Sequence, residues 1–155
     1  MEKSKPVFEG LEIFIGNWEM EASKDKVPLA RAKTSFKWFE NKAFLIQHVE
    51  SEPPLPTTPQ IWIDNNPNPI TVVIGHDDTS RLYYYVYADA RGVRRVYQMS
   101  LEDNVWKIWG MAGEKFFQRF EGKFNSDKNI ITGRWESSEN EKNWESDFDV
   151  KYERI

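Results

Sequence analysis

Alternation of apolar and polar side chains dominates the chain from Trp18 onward. In the last run Trp144, Ser146, Phe148, Val150, Tyr152 and Arg154 share one side, and Asn143, Glu145, Asp147, Asp149, Lys151 and Glu153 the other. A period of two with one apolar side is the mark of a strand buried on one face. Phe116, Gln118, Phe120 and Phe124 likewise oppose Lys115, Arg119, Glu121 and Lys123, while Ile131, Gly133 and Trp135 oppose Thr132, Arg134 and Glu136. Strands are predicted over 18–22, 32–40, 43–52, 70–76, 82–89, 93–100, 105–111, 114–124, 130–138 and 143–154. Between them lie turn signals such as Asn41-Lys42, Asp77-Asp78-Thr79-Ser80, Ala90-Arg91-Gly92, Glu102-Asp103-Asn104 and Ala112-Gly113. Successive hairpins leave two open edges unless the sheet curls until its first and last strands pair. The expected fold is therefore all-β, an antiparallel up-and-down meander barrel of about ten strands.

Three segments depart from this pattern. Residues 1–6 form a polar tail, after which Val7, Phe8, Leu11, Phe14 and Ile15 recur at helical spacing and predict a short helical turn laid under one end of the barrel. Gly16 then stands two residues before Trp18, which lets the backbone turn tightly while the indole swings inward. The third segment, 53–69, is rich in Pro and Asn and breaks the ladder. Irregular stretches of that length are often functional, so it reads as a lid over a barrel mouth, with a plain surface loop as the alternative.

Composition narrows the classes. The 155 residues suit one domain, taken as 1–155. A net charge of -4 offers no attraction for nucleic acid or an anionic membrane. Aromatics at 15% are the wide side chains a curved interior needs. Without cysteine there is no disulfide, thiol nucleophile or thiolate metal site. No apolar run is long enough to span a bilayer and no signal-type segment opens the chain, so a cytoplasmic location is expected.

Gly16-Asn17-Trp18 after a short N-terminal turn, a ten-strand meander and an arginine closing the last strand make the chain resemble the calycin superfamily, which includes lipocalins, fatty-acid-binding proteins and avidins. The resemblance implies that Trp18 packs at the closed end with an arginine of the last strand across it. Arg154 is the match by parity, and Arg134 the weaker one. The layout, with Gly75-His76-Asp77 leading into a hairpin, is also similar to small bacterial calycin-like proteins without a known activity. The chain departs from lipocalins in lacking a disulfide and a secretion signal, and from fatty-acid-binding proteins in lacking a two-helix lid after the first strand. Haem-binding barrels of similar shape take a histidine from the later strands, where this chain has none. Neither cofactor nor metal is expected.

Parity also nominates polar groups for the interior: His48, His76, Tyr84, Arg95, Tyr97 and Gln118. A few convergent polar groups within aromatic walls describe a small-molecule pocket, and an inward arginine beside tyrosine and histidine suits an acid group. The bland alternative is that these groups satisfy one another or a buried water. The first expectation is thus a binding protein for a partly apolar ligand. The second is a lyase- or isomerase-type enzyme using His48, His76, Glu50 or Tyr97 for proton transfer. The third is an interaction module, a homodimer for instance, if Tyr83, Tyr85 and Tyr87 rather than Leu82, Tyr84 and Val86 face outward.

Overall fold

Ten strands follow one another around a closed ring, each paired antiparallel with its neighbours in sequence, and the last returns to the first. The computed structural model of the chain describes residues 6–155, so residues 1–5 of the predicted tail lie outside the described residues. The strands are β1 (Gly16–Lys24), β2 (Val27–Phe39), β3 (Phe44–Ser51), β4 (Ile70–His76), β5 (Tyr83–Asp89), β6 (Arg94–Glu102), β7 (Val105–Gly113), β8 (Phe116–Phe124), β9 (Ile130–Ser138) and β10 (Glu145–Arg154). A 3-10 helix, Pro6–Phe14, precedes them, and one short helix, α1 (Gln60–Asp64), lies in the Pro/Asn-rich segment. Closure runs from Trp18 opposite Arg154 to Ser23 opposite Asp149, which leaves no open sheet edge in the ring.

Several boundaries differ from the sequence expectation for one reason. β2 begins at Val27, because Asp25 and Lys26, both at positive φ, make a tight two-residue turn directly after β1. The next turn is longer than Asn41-Lys42: Glu40, Asn41 and Lys42 all have positive φ, and Phe39 pairs with Phe44. β7 runs on through Ala112-Gly113, and the turn falls after it at Lys115. Positive φ in lysine and glutamate gives little compositional warning.

One end of the barrel is filled. Leu11 and Phe14 of the 3-10 helix are fully buried against Trp18, Phe36, Trp106 and Phe124. Phe14 meets Trp106 edge-on at 4.8 Å and Phe124 at 5.3 Å, the tilted geometry that aromatic quadrupoles favour. Trp18 donates its indole N–H to the Phe14 carbonyl at 2.9 Å. Over its ring lies the Arg154 guanidinium at 4.1 Å, whose Nη1 and Nη2 donate to the carbonyls of Ile15 and Ile13, both at 2.6 Å. The guanidinium thus ties the helix to the last strand. Gly16 sits at φ +126, and a Cβ there would stand 3.1 Å from Arg154 Nη1. Further up, Phe120 lays its ring across the paired glycines 122 and 133; a Cβ on Gly133 would come within 2.5 Å of that ring. The aromatic side chain fills the volume that the two glycines leave.

Candidate functional site

Toward the other end the aromatic filling stops and a cavity of ≈560 Å³ opens. Its floor is polar. Gln47, only 2% exposed, accepts the Tyr85 hydroxyl hydrogen at 3.1 Å and donates to Thr34 Oγ1 at 3.4 Å, and Thr34 donates in turn to the His48 carbonyl at 3.0 Å. Tyr152 and Trp135 complete this level. Burial pushes the Tyr85 phenol well above its usual range, with the phenols of Tyr152, Tyr87 and Tyr97 adding to the effect. Burial raises Tyr152 as well, against a hydrogen bond with Gln47. The floor is a set of neutral hydroxyls and one amide.

One wall carries a cation. Arg95 Nη1 donates to Tyr97 Oη at 3.2 Å and to Gln118 Oε1 at 3.1 Å, and Tyr97 donates to the same Gln118 oxygen at 2.7 Å. Burial raises the Tyr97 phenol while Arg95 pulls it the other way. Among the described residues no carboxylate stands within ion-pair distance of Arg95 and its Nε makes no hydrogen bond, so part of its five-donor fork is unspent. Arg91, at the rim, differs. It grips the Asp89 carboxylate at 2.6 and 3.0 Å, and Tyr87 donates to the same carboxylate at 2.7 Å. Burial works to raise Asp89, but these bonds and those from the Arg91 and Val93 amides outweigh it and hold the carboxyl below its ordinary value.

The 53–69 segment crosses the mouth. Thr57 donates to the Pro28 carbonyl at 2.6 Å, Ser51 and Asn66 exchange a hydrogen bond, and Ala90 N–H donates to the Pro67 carbonyl at 3.0 Å. From α1, Trp62 descends onto Phe148 of β10, with ring centroids 5.3 Å apart. Ile61 and Ile63 also border the cavity while remaining exposed.

The expected site residues divide. Arg95, Tyr97 and Gln118 are hydrogen-bonded to one another along the cavity wall. His48 is not with them. It lies on the outer surface, bound to Glu50 at 3.1 Å and near Thr71 at 3.4 Å. The inward residues of β3 are Leu45, Gln47 and Val49, because Gln47 pairs with the inward Phe36 of β2 and paired residues share a side. His76 is largely buried but sits at the filled end, its ring 5.1 Å from Tyr83, away from the cavity. Tyr84 faces solvent at 41% exposure. Tyr83, Tyr85 and Tyr87 point inward, opposite His76, Ile74 and Val72, so an outward stripe of these three does not exist. What the outer face shows instead is Tyr84, Val86, Val96 and Met111. Glu50 is outside as well, which leaves the proton-transfer reading without histidine or Glu50 in the cavity.

Sequence reasoning missed Gln47, Tyr85 and Asp147. For the first two a signal was present: taking Ile74 as inward and pairing β4 to β5 across the Asp77–Leu82 turn puts Tyr85 inside. Asp147 is different, because a β-bulge between Ser146 and Phe148 shifts the β10 register and breaks the alternation. Ser146 pairs with the outward Glu136, Phe148 with the inward Trp135, and Asp147 is the extra residue between them. The same slip turns Trp144 to the outside, where Arg119 stacks on it at 4.0 Å. Among the described residues no group of three or more potential metal ligands is gathered in one place, and no helix is long and apolar enough to cross a membrane.

No protein-family model matches the chain, and no curated protein matches it either. Among solved structures it is similar to the crystal structure of Rv2717c from M. tuberculosis, with a TM-score of 0.56 over 99% of each chain and 13% sequence identity. At that identity the likeness shows a shared barrel fold.

Proposed function

We propose that this chain is a calycin-like binding protein that holds a small, partly apolar molecule in the mouth-end cavity and fixes an acid group of that molecule on Arg95. The observation that carries the reading is the Arg95–Tyr97–Gln118 cluster. It is a guanidinium on a cavity wall whose protein partners are all neutral. A cation in that setting gains most from an anion, since charge-assisted bonds strengthen as water is excluded. The cavity volume of ≈560 Å³ lies in the range of small-molecule sites. Aromatic side chains from Trp135, Phe148 and Tyr87 supply apolar walls. In this reading the 53–69 segment is a lid, with Trp62 on Phe148 as its inner contact.

The test is a fluorescence titration with anilinonaphthalene sulfonate, an aromatic anion that brightens on leaving water. Binding to the wild type at one site is expected, with Arg95→Met weakening it about tenfold, the equivalent of one charge-assisted pair. Equal affinity in the two proteins would refute the role given to Arg95.

A further inference from the structure

Five charged side chains line the cavity, and they are not alike. Arg31 pairs with Glu21, and Glu52 lies beside Glu19. Arg91 is committed to Asp89, while Arg95 has only neutral partners. Asp147 lines the cavity too, and among the described residues it makes no hydrogen bond and no short ion pair. Its side of the barrel is apolar, formed by Met20, Ala22, Phe148 and Val150. In a regular strand Asp147 would point out with Asp149. The bulge between Ser146 and Phe148 spends an extra residue at this point, and bulges of this kind re-aim a side chain next to a site.

Burial raises the Asp147 carboxyl, while Lys24, on the exposed end of β1, acts weakly in the other direction. A carboxylate kept in an apolar wall costs stability unless a donor meets it. Among the described residues no group supplies that donor, so a ligand can. Asp147 stands on β10 and Arg95 on β6, four places apart in the ten-strand ring, hence on nearly facing walls. The backbones there are roughly 20 Å apart by the usual strand spacing and tilt. Two opposite charges therefore stand on well-separated walls of one cavity, above its polar floor and with Trp135 and Phe148 among the apolar lining.

The geometry points to an amphoteric ligand, with an acid group on Arg95, an amine or similar N–H donor on Asp147, and an apolar body between them. This inference rests on the binding reading above and adds the second recognition point. It is tested by calorimetric titration of phenylpropionate, phenylpropylamine and para-(aminomethyl)phenylpropionate into the wild type, Asp147→Asn and Arg95→Met. The amphoteric probe is expected to bind the wild type about tenfold tighter than either singly charged one. Asp147→Asn should weaken both amines about tenfold and leave phenylpropionate within about twofold, which also shows that the variant is folded. The inference is overturned if phenylpropionate binds through Arg95 but the amine does not bind, or binds Asp147→Asn equally well. If instead the amines bind through Asp147 while phenylpropionate is indifferent to Arg95→Met, the acid-group reading fails and the Asp147 contact stands. Failure of all three probes to bind overturns both.

Discussion

Arg154→Met removes the guanidinium that joins the last strand to the N-terminal helix. The wild-type side chain makes two 2.6 Å bonds to the Ile13 and Ile15 carbonyls, longer ones of 3.2 and 3.4 Å to the Lys128 carbonyl, and a 4.1 Å stack on Trp18. A hydrogen bond to a charged group contributes about 1.5–3 kcal/mol, and a partly exposed cation–π pair about 0.5–1 kcal/mol. Arg154 is partly exposed, so water recovers some of the loss at the carbonyls, and the net cost is placed at about 3–4 kcal/mol. Against a total of roughly 5–15 kcal/mol for a domain, that is a large share. Urea unfolding followed by tryptophan fluorescence and far-UV circular dichroism reads it directly. With a slope of about 2 kcal/mol per molar, the midpoint should fall by about 1.5–2 M. Arg154→Lys keeps the charge but not the fork, and should regain less than half of the difference. A loss below about 1 kcal/mol in Arg154→Met, or full recovery in Arg154→Lys, would refute the closure argument.

Other expectations follow from the same packing. Gly133→Ala drives a methyl group to within 2.5 Å of Phe120 and should cost about 1–3 kcal/mol by overpacking, with Phe120→Leu in the same chain recovering part of it in urea unfolding. The phenols of Tyr85, Tyr97 and Tyr152 titrate above their unfolded value of 10.0. Stability is therefore complete below that pH and falls as pH rises beyond it, by about 1.4 kcal/mol per pH unit for each such tyrosine, and Tyr85→Phe should flatten the decline. Val96→Thr, on the solvent face, should stay within about 0.5 kcal/mol of wild type in thermal unfolding, whereas Tyr85→Glu buries a charge and should unfold the chain or cost about 4 kcal/mol.

The barrel was legible because the alternation in β8, β9 and the lower part of β10 leaves one reading of each face. The pairing of Trp18 with an arginine came from the calycin resemblance, parity chose Arg154 for it, and the two do lie against one another at 4.1 Å. The site was legible only where polar and apolar positions alternate cleanly, as around Arg95, Tyr97 and Gln118. Over Phe44-Leu45-Ile46-Gln47-His48-Val49 both sides are apolar except for one polar residue each, so the choice between Gln47 and His48 depends on the partner strand. Tyr83-Tyr84-Tyr85-Val86-Tyr87 poses the same problem, resolved by the Ile74–Tyr85 pairing. Asp147 was out of reach for another reason. A bulge is a register event between two strands, and nothing in the local alternation of β10 marks it.

The central claim is that the mouth-end cavity, and not the outer apolar face, takes the ligand. Two-dimensional NMR of the labelled protein, titrated with anilinonaphthalene sulfonate, addresses it residue by residue. Perturbations concentrated on Arg95, Tyr97, Gln118 and the Trp135 indole are predicted, and Arg95→Met should disperse them. Perturbations confined to Tyr84, Val86, Val96 and Met111 would contradict the account.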